Sequence, residues 1–156
     1  MNNDNVIIEN LSSTEIESIL PLLKFLADHD NKVSIYYSGM YPTKPFEETI
    51  AEISKKVEKG YSKVDVIRNE GKVIGFCQYT IKDNIGELNY LVVLPECKGQ
   101  GYGKLLIEKA LKYFETQQVN NITLGTVYGN DNTVIFYEKY GFKIEALIMS
   151  KNMDLE

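Results

Sequence analysis

A chain of 156 residues is about one domain long, and 44% hydrophobic against 25% charged residues is the balance of a globular fold, not of a disordered tail or a solenoid array. The net charge is −5, and Arg68 is the one arginine among 17 basic residues, which argues against nucleic acid as a partner. No uncharged apolar run reaches the ~18–20 residues of a membrane span, residues 1–5 (MNNDN) lack the basic-then-apolar order of a secretory leader, and Cys77 with Cys97 make neither a disulfide framework nor a zinc site.

The expectation is a single cytoplasmic domain over 1–156, without membrane, nucleic acid or metal. A short strand is expected at 6–9. Ser12 or Ser13 can cap a first helix running to about Ala27, with Ile16, Leu20, Leu23 and Leu26 or Ala27 at helical spacing. Residues 28–45 read as a loop broken by Gly39, Pro42 and Pro45 and carrying Tyr36, Tyr37 and Tyr41; His29 between Asp28 and Asp30 is a polar loop residue rather than a metal ligand. A second helix follows from Phe46 to Glu58, ended by Gly60. Strands at 63–69 and 72–81 flank a hairpin turn at Asn69-Glu-Gly-Lys72. In the strand at 85–94 the even positions Leu88, Tyr90, Val92 and Leu94 should face a core.

A glycine-rich turn then leads into a helix from Tyr102 to Gln117, with Ile107, Leu111 and Phe114 as its apolar stripe. The next strand, 121–127, makes a right-handed parallel crossover. A short helix at 132–140 stops at Gly141, and 142–153 supplies one or two final strands. The fold class is mixed α/β (α+β), a mostly antiparallel sheet flanked by helices with one parallel crossover.

Residues 96–112 carry four lysines against two glutamates, a local +2 that leaves −7 for the rest of the chain. This basic island surrounds the alternating Gly99, Gly101 and Gly103, which stand between a strand and a helix. Without Cβ atoms the backbone can approach a ligand closely, and the first amides of a helix lack internal acceptors, so the turn suits a pyrophosphate-like anion. The dipole alone supplies only ~0.3–1 kcal/mol, so several amides must act together. Two better-known phosphate loops fail on spacing: Lys104 is followed by Leu105 where a nucleotide P-loop needs a hydroxyl, and the third glycine comes one residue early for a dinucleotide fingerprint.

The segment Val93-Leu94-Pro95 followed by KGQGYG at 98–103 resembles the acyl-CoA motif of the GNAT superfamily of N-acetyltransferases, [Arg/Gln]-x-x-Gly-x-[Gly/Ala], with Lys98 in place of the usual Arg or Gln. A second match follows at 130–142, where NDNTVIFYEKYGF is similar to Asn-x-x-Ala-x-x-Phe-Tyr-x-x-x-Gly-Phe, with Thr133 for Ala. The resemblance covers residues 72–153, and the first sixty match in pattern only. It implies acetyl-CoA as acyl donor and a primary amine as acceptor, joined by direct attack in a ternary complex without metal. The strand before the turn should splay from its parallel neighbour, so that Leu91, Val92 and Val93 offer backbone groups to the pantetheine arm. Lys98, Gly99, Gln100, Gly101, Tyr102, Gly103 and Lys104 would hold the pyrophosphate.

Asn130 is either a contact to the CoA arm or a helix N-cap. The acceptor amine is mostly protonated at neutral pH and needs a base. Glu87 is the candidate, two alternations before Leu91 on the same strand face and partly buried; the alternative is a solvated sheet face. Tyr137 occupies the position of the family's frequent tyrosine acid, or else packs with Phe136 and Tyr140. Tyr36, Tyr37 and Tyr41 line an acceptor pocket or simply pack their loop. Cys97 reads as a passive thiol and Cys77 as strand core. A small-molecule amine is the leading acceptor, with a protein amine and a non-catalytic CoA sensor as rivals. The ends of the final strands offer an edge for a homodimer.

Overall fold

The computed structural model describes residues 6–154; residues 1–5, read above for a leader, and 155–156 lie outside the described residues. One five-stranded sheet runs in the order of the chain, β1 (Val6–Asn10), β2 (Ser62–Asn69), β3 (Lys72–Lys82), β4 (Ile85–Val93) and β5 (Asn121–Thr123). The first four strands are antiparallel and β4–β5 is the parallel pair. Two hairpins have two-residue turns in the left-handed region, Glu70-Gly71 (φ 51 and 81°) and Asp83-Asn84 (φ 52 and 63°), the twist that matches paired strands. Glycine, asparagine and aspartate tolerate that region best, which suits Gly71, Asp83 and Asn84; Glu70 is the one residue there of another type.

Helices α1 (Leu20–Val33) and α2 (Phe46–Glu58) cover one face of the sheet, and α3 (Tyr102–Thr116) with α4 (Asp131–Glu138) covers the other. The core is therefore double. Ile16, Leu22, Leu23 and Ile53 pack on Val64, Val66, Phe76 and Val92, while Leu106, Ile107, Ala110 and Phe114 pack on Ile67, Cys77, Tyr79 and Leu88. The expected stripe residues Ile107 and Phe114 are in place, and Cys77 is strand core as expected.

Three expectations are corrected. The first helix does not start at Ser12 or Ser13: Ser12 is tied to Glu15 through its amide (2.9 Å) and hydroxyl (2.8 Å), a 3₁₀ turn follows at Ile16–Ile19, and α1 begins at Leu20 with Pro21 in its first turn. It also continues past Ala27 to Val33, so His29 is helical and stacks on Phe25 at 6.1 Å instead of standing in a loop. The final strands are absent among the described residues: 142–153 has no regular structure, and β5 stops at Thr123 instead of residue 127.

The third correction bears on the site. Leu88 belongs to the α3-side core and Val92 to the α1-side core, although both are even-numbered. A β-bulge is the reason. Gln78 pairs with Tyr90 and Tyr79 with Leu88, so Asn89 is an extra residue that reverses the alternation of β4. The bulge is held by a buried polar chain in which the Thr80 hydroxyl donates to Asn89 Oδ1 at 2.6 Å and also meets Ser62 Oγ at 3.1 Å.

Candidate active site

β4 and β5 pair only over Ile85–Asn121, Gly86–Ile122 and Glu87–Thr123. Beyond Glu87 the two segments part. The Leu94 amide donates to Ile74 at 2.9 Å, so Leu94, and by alternation Val92, direct their main-chain groups toward β3. Leu91 and Val93 then direct theirs the other way, into the gap, where they find no partner among the described residues. The splayed strand expected from sequence is present, with one amendment. Val92 is spent on the ladder with Phe76 and on the α1-side core, so it is not brought to the gap.

The gap runs into the glycine turn. A single 3₁₀ turn at Pro95–Cys97 closes with the Lys98 amide on Pro95 at 3.2 Å. The next internal bond of the chain is Leu105 to Gly101 at 3.0 Å, so the amides of residues 99–104 have no acceptor among the described residues. Gly99 and Gly101 have φ of 80 and 84°, which L-residues rarely adopt, and a Cβ on either would enter open space. That is a cradle of main-chain donors at a helix N-terminus, which fits a diphosphate. Lys98 and Gln100 are exposed beside it, and the exposed Lys104 lies 3.9 Å from Glu108. Tyr102 contributes its amide only, because its side chain is in the core. Cys97 is buried, and burial pushes its thiol up, which agrees with a passive role.

α4 closes the far side. Phe136 packs 3.6 Å from the position of a Gly103 Cβ and stacks edge-on with Tyr137 at 5.3 Å. Tyr137 is 7% exposed, and its hydroxyl has no hydrogen-bond partner among the described residues. Burial, with a smaller contribution from Cys77, pushes its pKa up, so the phenol holds its proton at neutral pH. Asn130 precedes α4 at the N-cap position but does not cap it: its Nδ2 donates to Thr126 Oγ1 at 3.4 Å, along the segment that leaves β5.

Glu87 is not where the alternation put it. It pairs with Thr80, and the bulge sets it on the face of Tyr90 and the α1–α2 layer rather than that of Leu91. It is exposed, where partial burial was expected. On the same face a cavity of about 120 Å³ lies between α1, the 34–45 loop, the start of α2 and Tyr90. Asn31, in the last turn of α1, ties that loop down: its Oδ1 accepts from the Gly39 and Tyr41 amides at 2.8 and 3.0 Å, and its Nδ2 donates to the Tyr41 carbonyl at 2.9 Å. Tyr41 lines the cavity; Tyr36 instead stacks on Tyr128 at 6.1 Å, and Tyr37 donates to the Ser150 carbonyl at 2.7 Å. Asp30, Asn31 and the cavity have no signal in the sequence, because the polar run Asp28-His29-Asp30 has the composition of a loop although α1 continues to Val33.

A splayed parallel pair thus leads to a cradle of free amides, and the comparisons give the chain its family. The model of the acetyltransferase (GNAT) family matches residues 26–142. This chain belongs to that family. An uncharacterized N-acetyltransferase of Chlorobaculum tepidum is 34% identical over 77 residues, covering 47% of this chain and 45% of the relative. The spore coat polysaccharide biosynthesis protein SpsD of Bacillus subtilis is 27% identical over 99 residues, 63% of this chain and 34% of its own. The chain thus spans less than half the length of these curated relatives. Among solved structures, the PaiA N-acetyltransferase of Thermoplasma acidophilum in complex with coenzyme A superposes with a TM-score of 0.73 at 22% identity, covering 90% of this chain and 91% of that one. The aminoglycoside N-acetyltransferase AAC(6')-Iy in complex with CoA gives 0.71 at 17% identity, with 95% of each chain covered. At such identities the likeness is one of GNAT fold. Among the described residues no helix is long and apolar enough to cross a membrane, and no group of three His, Cys, Asp or Glu side chains is placed to hold a metal.

Proposed function

We propose that this GNAT domain transfers acetyl from acetyl-CoA to a primary amine of a small molecule in a ternary complex. One observation carries the reading: the unpaired main-chain edge of Leu91 and Val93 runs directly into the free amides of residues 99–104. The edge suits the amide-bearing pantetheine arm and the cradle suits the diphosphate, with Lys98, Gln100 and Lys104 at its rim and Asn130 beside the arm. A main-chain N–H of the edge would stabilise the oxyanion on the thioester carbonyl, a donor of the kind whose loss typically costs ~10²–10³ in rate.

As the C–N bond forms and the C–S bond breaks, Glu87 takes the proton released by nitrogen, directly or through water. Its exposure on the α1–α2 face, the face that carries the cavity, supports that role. Tyr137 gives a proton to the departing sulfur; its ring is buried, and its hydroxyl has no hydrogen-bond partner among the described residues and is protonated at neutral pH. The small volume of the cavity under the 34–45 loop, about 120 Å³, favours a small acceptor over a folded protein.

We also take a second copy of the chain as a partner. Ile144, Leu147, Ile148 and Met149 are exposed on a segment that, among the described residues, pairs with no strand, and among those residues the outer edge of β5 is open, so two copies can satisfy both reciprocally.

The test is thiol release from acetyl-CoA across a panel of amines, with calorimetric titration of CoA alongside. Turnover with at least one small amine is expected; heat of CoA binding without any thiol release makes the domain a CoA-binding module instead.

A further inference from the structure

The cavity on the acceptor face is lined by Leu23, Leu26 and Ala27 from α1, by Tyr41 and Phe46 around the entry to α2, and by Tyr90 of β4. Two charged side chains also line it, Asp30 and Lys44. Lys44 is paired with Glu52. Asp30 is not answered: its carboxylate has no ion pair and no hydrogen-bond donor among the described residues, and it is half-buried against the apolar wall. Tyr90, which lines the cavity, stands on the same face of β4 as Glu87, so the cavity's carboxylate and the proposed base share the α1–α2 side of the sheet.

A nitrogen that attacks a thioester must be neutral, and so gains no lasting ion pair from a carboxylate. An anion inside the pocket can recognise the acceptor only through a second group that stays positive, joined to the first by an apolar spacer that fits Leu23, Leu26 and Tyr90. The same anion repels an acceptor that carries a carboxylate or phosphate there.

We propose that the acceptor is an aliphatic diamine or polyamine, whose far ammonium group sits on Asp30 while its methylenes lie along the apolar wall and its other nitrogen stands beside Glu87. This rests on the acetyl-transfer reading above. Burial holds the Asp30 carboxyl above the ordinary carboxylate range, which is what an unpaired anion in an apolar wall shows and what an ammonium partner would relieve.

The experiment measures kcat/KM by thiol release for three acceptors of matched length: diaminopentane, pentylamine and aminopentanoate. The wild-type chain is expected to prefer the diamine over the monoamine by about 10- to 100-fold, the range of a charge-assisted contact, with the amino acid poorest. Asp30→Asn should bring diamine and monoamine to within about threefold of each other, and Asp30→Glu should restore a preference, shifted toward a shorter diamine. CoA titration on each variant confirms that the fold is intact. Equal wild-type turnover of diamine and monoamine overturns the inference, and so does an Asp30→Asn variant that keeps the wild-type preference; in both cases acetyl transfer itself stands. If no amine releases thiol above background, the transfer reading falls and this inference with it.

Discussion

On the β5 side of β4, the groups offered to a ligand belong to the main chain: Leu91, Val93 and the amides of residues 99–104. On the opposite side they belong to side chains gathered from distant segments, Asp30 from α1, Tyr41 from the following loop, and Glu87 and Tyr90 from β4. The two sides are coupled by one extra residue, Asn89, whose bulge decides which side chains of β4 point to which layer. Main-chain recognition tolerates exchange of the residues around it as long as glycines hold the turn. Side-chain recognition changes with each substitution and so can serve different acceptors on one cofactor frame.

The sharpest way to break this contrast is Gly101→Asp. The position has φ 84°, where a side-chain-bearing residue costs ~1–2 kcal/mol of strain, and its Cβ would project into the open space of the cradle. The carboxylate adds repulsion of a diphosphate. CoA titration should show a loss of more than about 100-fold in affinity, since roughly 3 kcal/mol is enough for that, while the circular dichroism spectrum is retained. Normal CoA binding by this variant would mean that the amides of 99–104 are not the diphosphate site.

That difference also explains what could be read in the chain beforehand. The order of strands and helices, the parallel crossover and the glycine turn were all legible, because they depend on local periodicity and on residues adjacent in sequence. α2 and the hairpin at Glu70-Gly71 fell where the pattern put them. The bulge was not legible: Leu88, Tyr90 and Val92 alternate without a break, and only the pairing with Gln78 and Tyr79 reveals that Asn89 is extra. Nor was the end of α1, because Asp28, His29 and Asp30 look like loop residues until Asn31 is seen binding the turn that follows. Simple alternation therefore puts Glu87 on the face of Leu91, and a helix ending at Ala27 leaves Asp30 in a loop. The terminal segment failed for another reason: its alternation suits a strand, but no strand within the described residues pairs with it.

Tyr137 belongs to the α3-side core, away from the acceptor cavity, and Tyr137→Phe sharpens the division of labour. The substitution keeps the ring contacts with Phe136 and Phe142 at 5.3 and 5.7 Å and removes only a hydroxyl without a partner. If that hydroxyl protonates the leaving sulfur, kcat should fall by about 10²-fold with little change in the KM for acetyl-CoA; an unchanged kcat removes Tyr137 from the chemistry.

A smaller effect is expected from the bulge itself. Thr80→Val keeps the shape of a buried side chain but deletes the hydroxyl that holds Asn89 Oδ1 at 2.6 Å. Leaving those partners unmatched should cost ~1–3 kcal/mol in denaturant unfolding. If the bulge aligns the acceptor face with the cofactor edge, kcat should drop by about tenfold while CoA affinity is held. A proportional loss of both would reduce the bulge to a purely structural feature.

The smallest effect separates the two sides by stability instead of rate. Burial raises the Asp30 carboxyl in the folded chain above its unfolded value of about 3.9. For an acid raised in this way the folded state binds the proton more tightly, so stability is greatest below the unfolded pKa and is lost as pH climbs through the folded one. At neutral pH the ionised Asp30 therefore works against folding, opposed weakly by His29 and faced by Tyr90 and by a Lys44 already paired with Glu52. Asp30→Asn should then raise Tm at neutral pH. The rise should be about 1–3 °C, because a half-exposed carboxylate is screened by water, and it should vanish below about pH 3, where both states are protonated. Diaminopentane added at neutral pH should raise the Tm of the wild-type chain and leave that of Asp30→Asn in place, since only the former keeps an anion for the ammonium to meet. A wild-type Tm above that of Asp30→Asn at neutral pH would mean that this carboxylate already has a partner in the folded chain, and the acceptor pocket would then have no unanswered charge with which to choose its amine.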